Sequence, residues 1–339
     1  MKKFLSTILA VVMVLSSMAM VVSADETLAD GIYVGTTKYD TFTAAQTAAA
    51  ANTNKEIIIS GTVEFGSRQG ISVEGLHLRG INNAKIIPSA TYGDPNNSAT
   101  NKKGLLNIGA NNVKVSDVTF DGSVYGDTIS QSTDFIVLRI NEGTGIELSG
   151  VTVTGSPKTL ISVGTSSTSA SVTAENLYCQ AEYKDLPIAT SLLGSTIYSD
   201  IDVAKGSFTL NSGEVNGFIG TSGGTFTNGT ENHYTLTDKV LWIEKSTTTT
   251  LKHYVESYAH AIANGNSYAE HFVDSIIDSR NLSEVADMVE DAEDMVATDR
   301  ETVELFVDLL EDAYEASNNS TIQGYINTLN AALNPSTGA

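Results

Sequence analysis

The stretch Ile71-x-Val73-x-x-Leu76-x-Leu78-x-Gly80 contains a ten-residue pattern that returns along the chain. Two apolar residues alternate with polar ones, a two-residue polar break follows, and two more apolar residues alternate before a small residue. Alternation of this kind predicts β-strands whose apolar side chains face one side. The four further copies are Val113-Val115-Val118-Phe120-Gly122, Ile146-Leu148-Val151-Val153-Gly155, Val172-Ala174-Leu177-Cys179-Ala181 and the weaker Phe208-Leu210-Gly213-Val215-Gly217.

The polar breaks help to separate two architectures that both use this pattern. A two-residue β-hairpin favours Asn-Gly or Asp-Gly, because its turn needs positive φ angles. Most breaks here are of another kind, as in Ser116-Asp117 and Glu175-Asn176, and a further apolar run precedes most later copies. A stacked solenoid with three strands per coil needs only a bend at the break. We therefore favour the solenoid, while the pattern alone also fits a series of hairpins.

The region before the repeats has a different arrangement. An apolar strand over residues 32–34 precedes an Ala-rich helix over residues 41–51, with Asp40 or Thr41 as its N-cap, and a β-branched run follows at 57–59. The three-strand coil, the two-residue bend and this helix resemble the right-handed parallel β-helix of the pectin-lyase-like superfamily. The opening also resembles that of β-helix surface proteins of Gram-positive gut bacteria. The resemblance implies that the helix plugs the first coil and covers its strand edges.

Beyond residue 250 the apolar residues recur with helical spacing. Successive stripes indicate a bundle of four or five helices, in which Thr298 and Glu301 form a capping box and Ser320 caps the last helix. We therefore expect a mainly β chain: a right-handed parallel β-helix with an N-terminal capping helix, followed by a small all-α bundle. The predicted boundaries are 1–24 for a signal peptide, 25–246 for the β-helix, 247–333 for an acidic bundle and 334–339 for a C-terminal tail.

The N-terminal segment has the features of a secretory signal peptide. Lys2 and Lys3 precede an apolar run that reaches about Val22, and Ala24 closes a small-residue cleavage site. An uncleaved membrane anchor is the alternative, since the run is slightly long for a signal core. No other segment is long and apolar enough to cross a bilayer, so we expect a secreted chain with no membrane span after cleavage.

The C-terminal tail, Asn334-Pro335-Ser336-Thr337-Gly338-Ala339, resembles the Leu-Pro-x-Thr-Gly sorting signal of Gram-positive wall proteins, with Asn in place of Leu. That signal normally continues with an apolar span and basic residues. The resemblance implies wall attachment if the natural chain continues. Otherwise the segment simply ends a helix, as Pro and Gly commonly do.

Acidic residues dominate the chain, and unevenly. Without the two signal lysines, 17 basic residues face 40 acidic ones, a net charge of −23. Residues 251–339 hold 17 acidic and 3 basic residues, whereas residues 25–250 carry a net charge of only −9. Such a field repels nucleic acid and anionic membranes, so neither is an expected partner. The single Cys179 excludes an intrachain disulfide, and its inward position predicts a packed side chain rather than a reactive thiol.

The resemblance implies where an enzyme of this fold would keep its catalytic residues, namely on one sheet below the loops that follow the third strand. Arg139 points outward there if its neighbours point inward, with Asp134 and Asp127 nearby in sequence. The related lyases use calcium with an Arg or Lys base, and the hydrolases use paired aspartates. Arg139-Ile140-Asn141 lacks the Lys of the hydrolase motif, and the other family motifs are missing. Catalysis is therefore the alternative hypothesis, with calcium only for a lyase and otherwise no cofactor.

A ligand-binding strip is the better-supported hypothesis. When the copies are aligned on their terminal small residue, aromatic and basic residues follow it in successive coils, which stack about 4.8 Å apart. Sugars in an extended glycan repeat at a similar length, and aromatic faces stack on sugars. The predicted strip comprises Tyr92, Tyr125, Lys158, Tyr183, Lys184 and Phe218. The alternative is that these are loop residues folded over the ends of the core.

No group of residues predicts a metal site. His253, His260 and His271 lie on predicted helices and His77 points outward, so solvated or capping roles are expected for them. The acidic run at 290–294 lacks the alternating spacing of a calcium loop and reads as a solvated helix face.

We expect an exported, non-catalytic surface or adhesion module whose β-helix binds a glycan or another ligand on a cell wall or host surface. One alternative is a polysaccharide lyase or glycoside hydrolase centred on Arg139. Another is a structural spacer whose helical bundle is the protein-interaction module. Release of reducing ends or unsaturated sugars would indicate the enzyme, and retention on a glycan without product would indicate the adhesin.

Overall fold

The computed structural model describes residues 28–90, 92, 104–123, 135–155, 159–181, 188, 191–193, 199–215, 217–221, 223–229, 242–244, 250–263 and 265–335. The strands are β1 (Gly31–Val34), β2 (Thr37–Tyr39), β3 (Glu56–Phe65), β4 (Gln69–Ile71), β5 (His77–Pro88), β6 (Leu106–Gly109), β7 (Lys114–Ser116), β8 (Thr119–Asp121), β9 (Ile136–Ser149), β10 (Thr152–Thr154), β11 (Thr159–Val163), β12 (Ala170–Glu175), β13 (Leu177–Gln180), β14 (Ser199–Val203), β15 (Gly206–Leu210), β16 (Gly213–Val215), β17 (Phe218–Gly220), β18 (Thr225–Asn228) and β19 (Trp242–Glu244). The helices are α1 (Phe42–Ala50), α2 (Leu251–Ala263), α3 (Tyr268–Ile277), α4 (Leu282–Met295), α5 (Arg300–Ser317) and α6 (Ser320–Leu333). A mainly β region followed by helices confirms the predicted fold class.

In the described part of the chain, the strands stack into three parallel ladders around one apolar core. Ladder I contains β4, β6, the first part of β9, β11, β14, β17 and β19. Ladder II contains the first parts of β3 and β5, then β7, the second part of β9, β12, β15 and β18. Ladder III contains the second parts of β3 and β5, then β8, β10, β13 and β16. The chain winds repeatedly through the three ladders, which is the geometry of a parallel β-helix.

The repeated pattern supplies the core rows of ladders II and III. Val115, Leu148, Ala174 and Leu210 are register partners in ladder II. Phe120, Val153, Cys179 and Val215 are register partners in ladder III. All of these side chains are buried, and each large apolar one contributes roughly 1.5–3 kcal/mol of transfer free energy. Cys179 is fully buried, which confirms the prediction of a packed side chain, and this burial raises the pKa of its thiol well above the usual value.

The first copy of the pattern, at residues 71–80, is out of phase with the others. Leu78 pairs with Val115, so it occupies the second apolar position of its coil rather than the fourth. Ile71 pairs with Ile108 and belongs to ladder I. The coil continues through a longer bend with positive φ at residues 82 and 83. The prediction that a copy begins at Ile71 is therefore wrong, because this longer bend hides the period.

The two-residue breaks of the second, third and fourth copies are bends with one left-handed residue each. Asp117, Gly150 and Asn176 have φ angles of 57°, 63° and 50°. Gly reaches this region without steric cost, and Asn and Asp visit it more readily than other residues. The backbone N–H of Asp117 donates to the Ser149 carbonyl and that of Gly150 to the Glu175 carbonyl, both at 2.9 Å. Each bend thus stacks on its equivalent in the next coil, which confirms coils rather than hairpins.

The N-terminal end of the β-helix is covered by α1 and by an antiparallel hairpin. Thr41 accepts a hydrogen bond from the first turn of α1, so Thr41 rather than Asp40 is the N-cap. Ala45 and Ala49 are fully buried, and the ring of Phe42 packs edge-on against Phe65 with centroids 5.6 Å apart. Strands β1 and β2 pair antiparallel, and β1 pairs antiparallel with β3. The predicted capping helix is confirmed, and the hairpin extends the cap to the edge of ladder II.

Helices α2 to α6 form the predicted bundle, although two of its caps differ from prediction. Asp299 and Asn319 accept hydrogen bonds from the first turns of α5 and α6. The predicted caps Thr298 and Ser320 each lie one position away. In both cases several adjacent polar residues could serve, and the cap is the one at which the backbone enters the helix. The acidic residues of the run at 290–294 are exposed, as predicted.

The bundle packs against the outer face of the β-helix. The carboxylate of Glu284 on α4 accepts hydrogen bonds from the backbone N–H groups of Leu192 and Leu193, both at 2.8 Å. The ring of Phe218 on β17 lies 5.5 Å from that of His260 and 5.7 Å from that of Tyr268. A carboxylate clamp and an aromatic cluster therefore hold the two parts of the chain together.

The predicted signal peptide and most of the sorting-like tail lie outside the described residues. Among the residues that are described, no helix has both the length and the apolar character needed to span a bilayer.

Candidate functional site

The outer face of ladder I carries a row of polar side chains. Asn107, Arg139, Ser162 and Asp202 are successive register partners, and all four are partly exposed. Their strand neighbours, such as Leu138, are buried in the core, so the alternation of a strand directs the polar side chains outward. Neighbouring strands lie about 4.8 Å apart, so the row offers hydrogen-bonding groups at that spacing. Arg139 has the outward orientation that the sequence predicts.

A second outward row lies two residues earlier on the same strands and is covered. Leu105, Val137, Leu160, Asp200 and Phe218 all have exposures of 0%. An outward side chain can be this buried only when another part of the chain lies over it. The polar row therefore borders a covered strip and forms an open shelf beside it.

Tyr92 is buried rather than exposed on this shelf. Its side chain is fully buried, its hydroxyl donates to the carbonyl of Gly104, and its ring packs edge-on against Phe135 with centroids 6.3 Å apart. Burial raises the pKa of Tyr92 above its usual value, while the positive charges of Arg68 and Arg139 oppose that rise. Tyr92 has no exposed face on which a sugar could stack. This corrects its place in the predicted strip and shows that both guanidinium groups lie near the same tyrosine.

Phe218 also leaves the predicted strip. It begins β17 and is fully buried, with its ring against His260 and Tyr268 of the bundle. The fifth copy of the pattern is followed directly by a strand, because the residue after its terminal Gly217 already begins β17. Phe218 belongs to the interface between β-helix and bundle.

The ends of three strands in ladder III mark a common loop edge. Thr154 pairs with Asp121 on one side and with Gln180 on the other, so these three residues form one register row. Each is the last residue of its strand. The three strands therefore end at a single edge of the β-helix, at the spacing of the coils.

The remaining predicted site residues come just after this edge. Tyr125, Lys158 and Lys184 each follow a member of the register row by four residues. The candidates that lie outside the described residues are Tyr125, Lys158, Tyr183 and Lys184 for the strip, and Asp127 and Asp134 for catalysis.

An ion pair at the same edge escaped sequence reasoning. Lys85 and Asp121 are in direct contact, and the backbone N–H of Ser123 donates to Asp121 at 2.9 Å. Burial opposes ionisation of Asp121, but the hydrogen bonds from Lys85 and Ser123 outweigh it and lower its pKa. Lys85 faces β8 only because the first coil begins later than the pattern suggests. A correct alignment of the first coil would have placed Lys85 beside β8 and so would have revealed the pair.

The histidines serve packing and surface roles. Among the described residues, no cluster of three or more His, Cys, Asp or Glu could hold a metal ion. His77 on ladder II contacts Ser116 at 2.9 Å and Glu56 at 3.5 Å. Burial lowers the pKa of both His260 and His271 to about 4. The expectation of solvated histidines is therefore wrong for His271, which is only 6% exposed.

Comparison with protein-family models, with curated proteins and with solved structures finds no match for this chain. The function must therefore be argued from the shelf and the loop edge. Arg139 and Asp202 are two strands apart, roughly 10 Å at the usual strand spacing. Side chains at that spacing can contact successive units of an extended ligand.

Proposed function

We propose that this chain is an exported, non-catalytic surface module that binds an extended glycan along the loop edge and the outer face of ladder I. The observation that carries the proposal is the register row of Asp121, Thr154 and Gln180. Loops that leave one edge at intervals of about 4.8 Å can present one contact per coil. This interval is close to the repeat length of sugars in an extended glycan. Tyr125, Lys158 and Tyr183 are the residues that we assign to these contacts.

The polar shelf beside the edge supports a sugar ligand. Its asparagine, serine, aspartate and arginine side chains include both donors and acceptors, and sugar hydroxyl groups need both. The net charge of −21 favours a neutral glycan over a polyanion, because an acidic surface repels acidic polymers.

The proposal also includes export and a finer fold relationship. The charged start, apolar run and small-residue site of the first 24 residues support a secretory signal. Membership of the pectin-lyase-like superfamily, and kinship with surface proteins of Gram-positive bacteria, are supported by the coil, the left-handed bend and the capping helix. Many binding and catalytic proteins can share such a scaffold, so the site decides between them.

A polysaccharide lyase or hydrolase is the second candidate, and one observation favours it. Arg139 lies on the outer face of ladder I, where the resemblance implies a catalytic base, and its charge acts on the nearby Tyr92. Against it, the family's paired-aspartate and calcium motifs are missing from the sequence. Asp202 is the carboxylate in the same row, two strands away.

Retention and product release on one polysaccharide panel test the proposal. Purified protein is expected to be retained by at least one neutral insoluble glycan without forming reducing ends or unsaturated sugars. Replacing both Tyr125 and Tyr183 by Ala should weaken retention at least about tenfold, which corresponds to about 1.4 kcal/mol. Lys114→Ala is the matched control, because this exposed residue lies on ladder II.

The outcomes separate the hypotheses. Unchanged retention of the double variant would overturn the strip, and absence of retention on every glycan would favour the spacer. Product formation that Arg139→Ala abolishes would establish the enzyme instead.

A further inference from the structure

The helical bundle has an apolar groove between α2, α3 and α5. The groove encloses about 360 Å³, and its apolar lining consists of Ile262, Ala269, Val273 and Ala316 beside the ring of Tyr258. In the part of the chain that the structure describes, Ile262 is the only large apolar residue that is exposed, at 49%. Together with the apolar lining of the groove, the side chain of Ile262 offers a surface on which another apolar group can pack.

Acidic side chains line the rest of this groove. Glu270, Asp274 and Asp312 lie around the apolar floor, and no basic residue is among the described residues that line it. The hydroxyl of Tyr258 donates to the carboxylate of Asp312. Partial burial and the nearby Glu270 raise the pKa of Asp274, so these negative charges repel one another. A cation placed in the groove would relieve that repulsion.

The basic residues of the bundle are engaged elsewhere. Residues 251–339 contain three of them, Lys252, Arg280 and Arg300. Lys252 pairs with Asp299 at 2.8 Å, Arg280 with Asp278 at 2.6 Å and Arg300 with Glu304 at 2.7 Å. None of the three lines the groove. A positive charge that pairs with the acidic residues of the groove therefore has to come from outside the bundle.

The groove is longer than a single ion needs. A neighbouring hollow of about 540 Å³ shares Ile262, Ala269 and Glu270 with it and reaches Gln180 and Ala181 at the end of ladder III. The combined surface runs from the bundle to the β-helix, and its lining includes apolar, neutral polar and acidic residues. Its shape and charge match a peptide segment rather than a free metal ion.

We propose that this groove binds a basic, amphipathic peptide segment of a partner protein. One apolar side chain of the segment packs on Ile262 and Val273, while Lys or Arg side chains pair with Asp274 and Asp312. This mode joins hydrophobic burial with charge complementarity, as in other helix or peptide grooves. The four residues assigned to these peptide contacts all belong to the bundle, and none of them is assigned to glycan binding.

Binding of short synthetic peptides to the full chain tests the proposal. The probe is a fluorescent peptide of leucine and lysine with helical spacing. The comparison peptides replace all leucines by serine at equal charge, or all lysines by glutamate at equal apolarity. We expect fluorescence anisotropy to show that the leucine–lysine peptide binds at least about tenfold more tightly than either, and that added salt weakens it.

Matched variants locate the site. Ile262→Ser, and separately Asp274→Asn combined with Asp312→Asn, should each weaken binding at least about tenfold. Glu290→Gln combined with Asp291→Asn changes the charge by the same amount on an exposed part of α4, away from the groove. This control should change binding by less than about twofold.

Two results would overturn the proposal. Equal binding of the leucine–lysine and serine–lysine peptides would show that general charge attraction suffices. Equal loss in the groove variants and in the α4 control would show that the groove has no special role. Circular dichroism of each variant separates loss of binding from loss of folding, and Asp274→Asn alone keeps the contact between Tyr258 and Asp312 intact if the double variant unfolds.

Discussion

Gly150 shows how a single residue supports a bend of the β-helix. Its φ angle is 63°, and a Cβ atom at this position would lie 2.6 Å from the side chain of Asp117 in the preceding coil. Alanine would therefore meet both an unfavourable backbone region and a close contact. The same bends in neighbouring coils use Asp117 and Asn176, and Asp and Asn adopt the left-handed conformation more readily than most other residues.

We predict that Gly150→Ala destabilises the folded state by about 1–2 kcal/mol, because the left-handed conformation costs that much for a residue with a Cβ. Urea unfolding measures the change. Gly70→Ala is the control, since Gly70 has no neighbour within 4 Å of an added Cβ and no positive φ. The control should change stability by less than about 0.5 kcal/mol. Equal effects of the two substitutions would contradict this account of the bend.

At the scale of the element, α4 is joined to the β-helix by Glu284. Two backbone N–H groups donate to its carboxylate at 2.8 Å, and the hydroxyl of Ser191 donates at 3.1 Å. These groups come from a segment that has no regular structure of its own. Removing the carboxylate would leave their donors without an acceptor on α4.

We predict that Glu284→Ala lowers the free energy of unfolding by about 1–3 kcal/mol, the usual cost of leaving partly buried donors unpaired. Glu293→Ala is the control, because this exposed acid lies on the same helix. Chemical unfolding followed by the fluorescence of Trp242, compared with far-ultraviolet circular dichroism, measures both. A loss of the same size in the control would mean that helix propensity or net charge, and not the clamp, explains the effect.

At the scale of the whole molecule, the histidines of the bundle couple its stability to pH. Burial lowers the pKa of His260 and His271 to about 4, and it also lowers that of His253. An unfolded chain would bind protons at these sites from about pH 6.5 downward. Stability from their neutral forms is therefore fully present above that pH and is lost progressively as the pH falls toward 4.

We predict that the chain unfolds more readily at pH 4.5 than at pH 7, and that His271→Phe reduces this difference. Phenylalanine keeps a ring against Tyr268, whose ring stacks on that of His271 at 5.3 Å, but it cannot take up a proton. The expected reduction is on the order of 2 kcal/mol, since one pKa unit corresponds to about 1.4 kcal/mol. Thermal unfolding at both pH values measures it. An unchanged pH difference in the variant would contradict a role for His271.

The phase of the repeats shows what local pattern can and cannot reveal. The copies beginning at Val113, Ile146 and Val172 were correctly aligned, because each has one left-handed residue in its bend and so keeps the ten-residue length. The copy at Ile71 was misaligned, because the first coil has a longer bend. Alternation in a strand is a local property, but register depends on which strand lies beside it.

For the candidate site too, the sequence predicted the position of some residues and not of others. The outward position of Arg139 followed from alternation alone, and the ladder confirms it. The burial of Tyr92 and Phe218 did not, since each is an aromatic residue near a predicted loop whose covering comes from elsewhere in the chain. Asp202 and Lys85 were missed because their neighbours across the ladder are distant in sequence.

By itself, the sequence determined the strand period, the coiled architecture, the capping helix and the change to helices, because hydrophobic spacing and bend-forming residues act over a few positions. Only the tertiary structure decided the phase of the first coil, the covering of the outer row of ladder I and the acidic groove beside Ile262. Those features arise where elements far apart in sequence pack together, and no local pattern encodes which surfaces will meet.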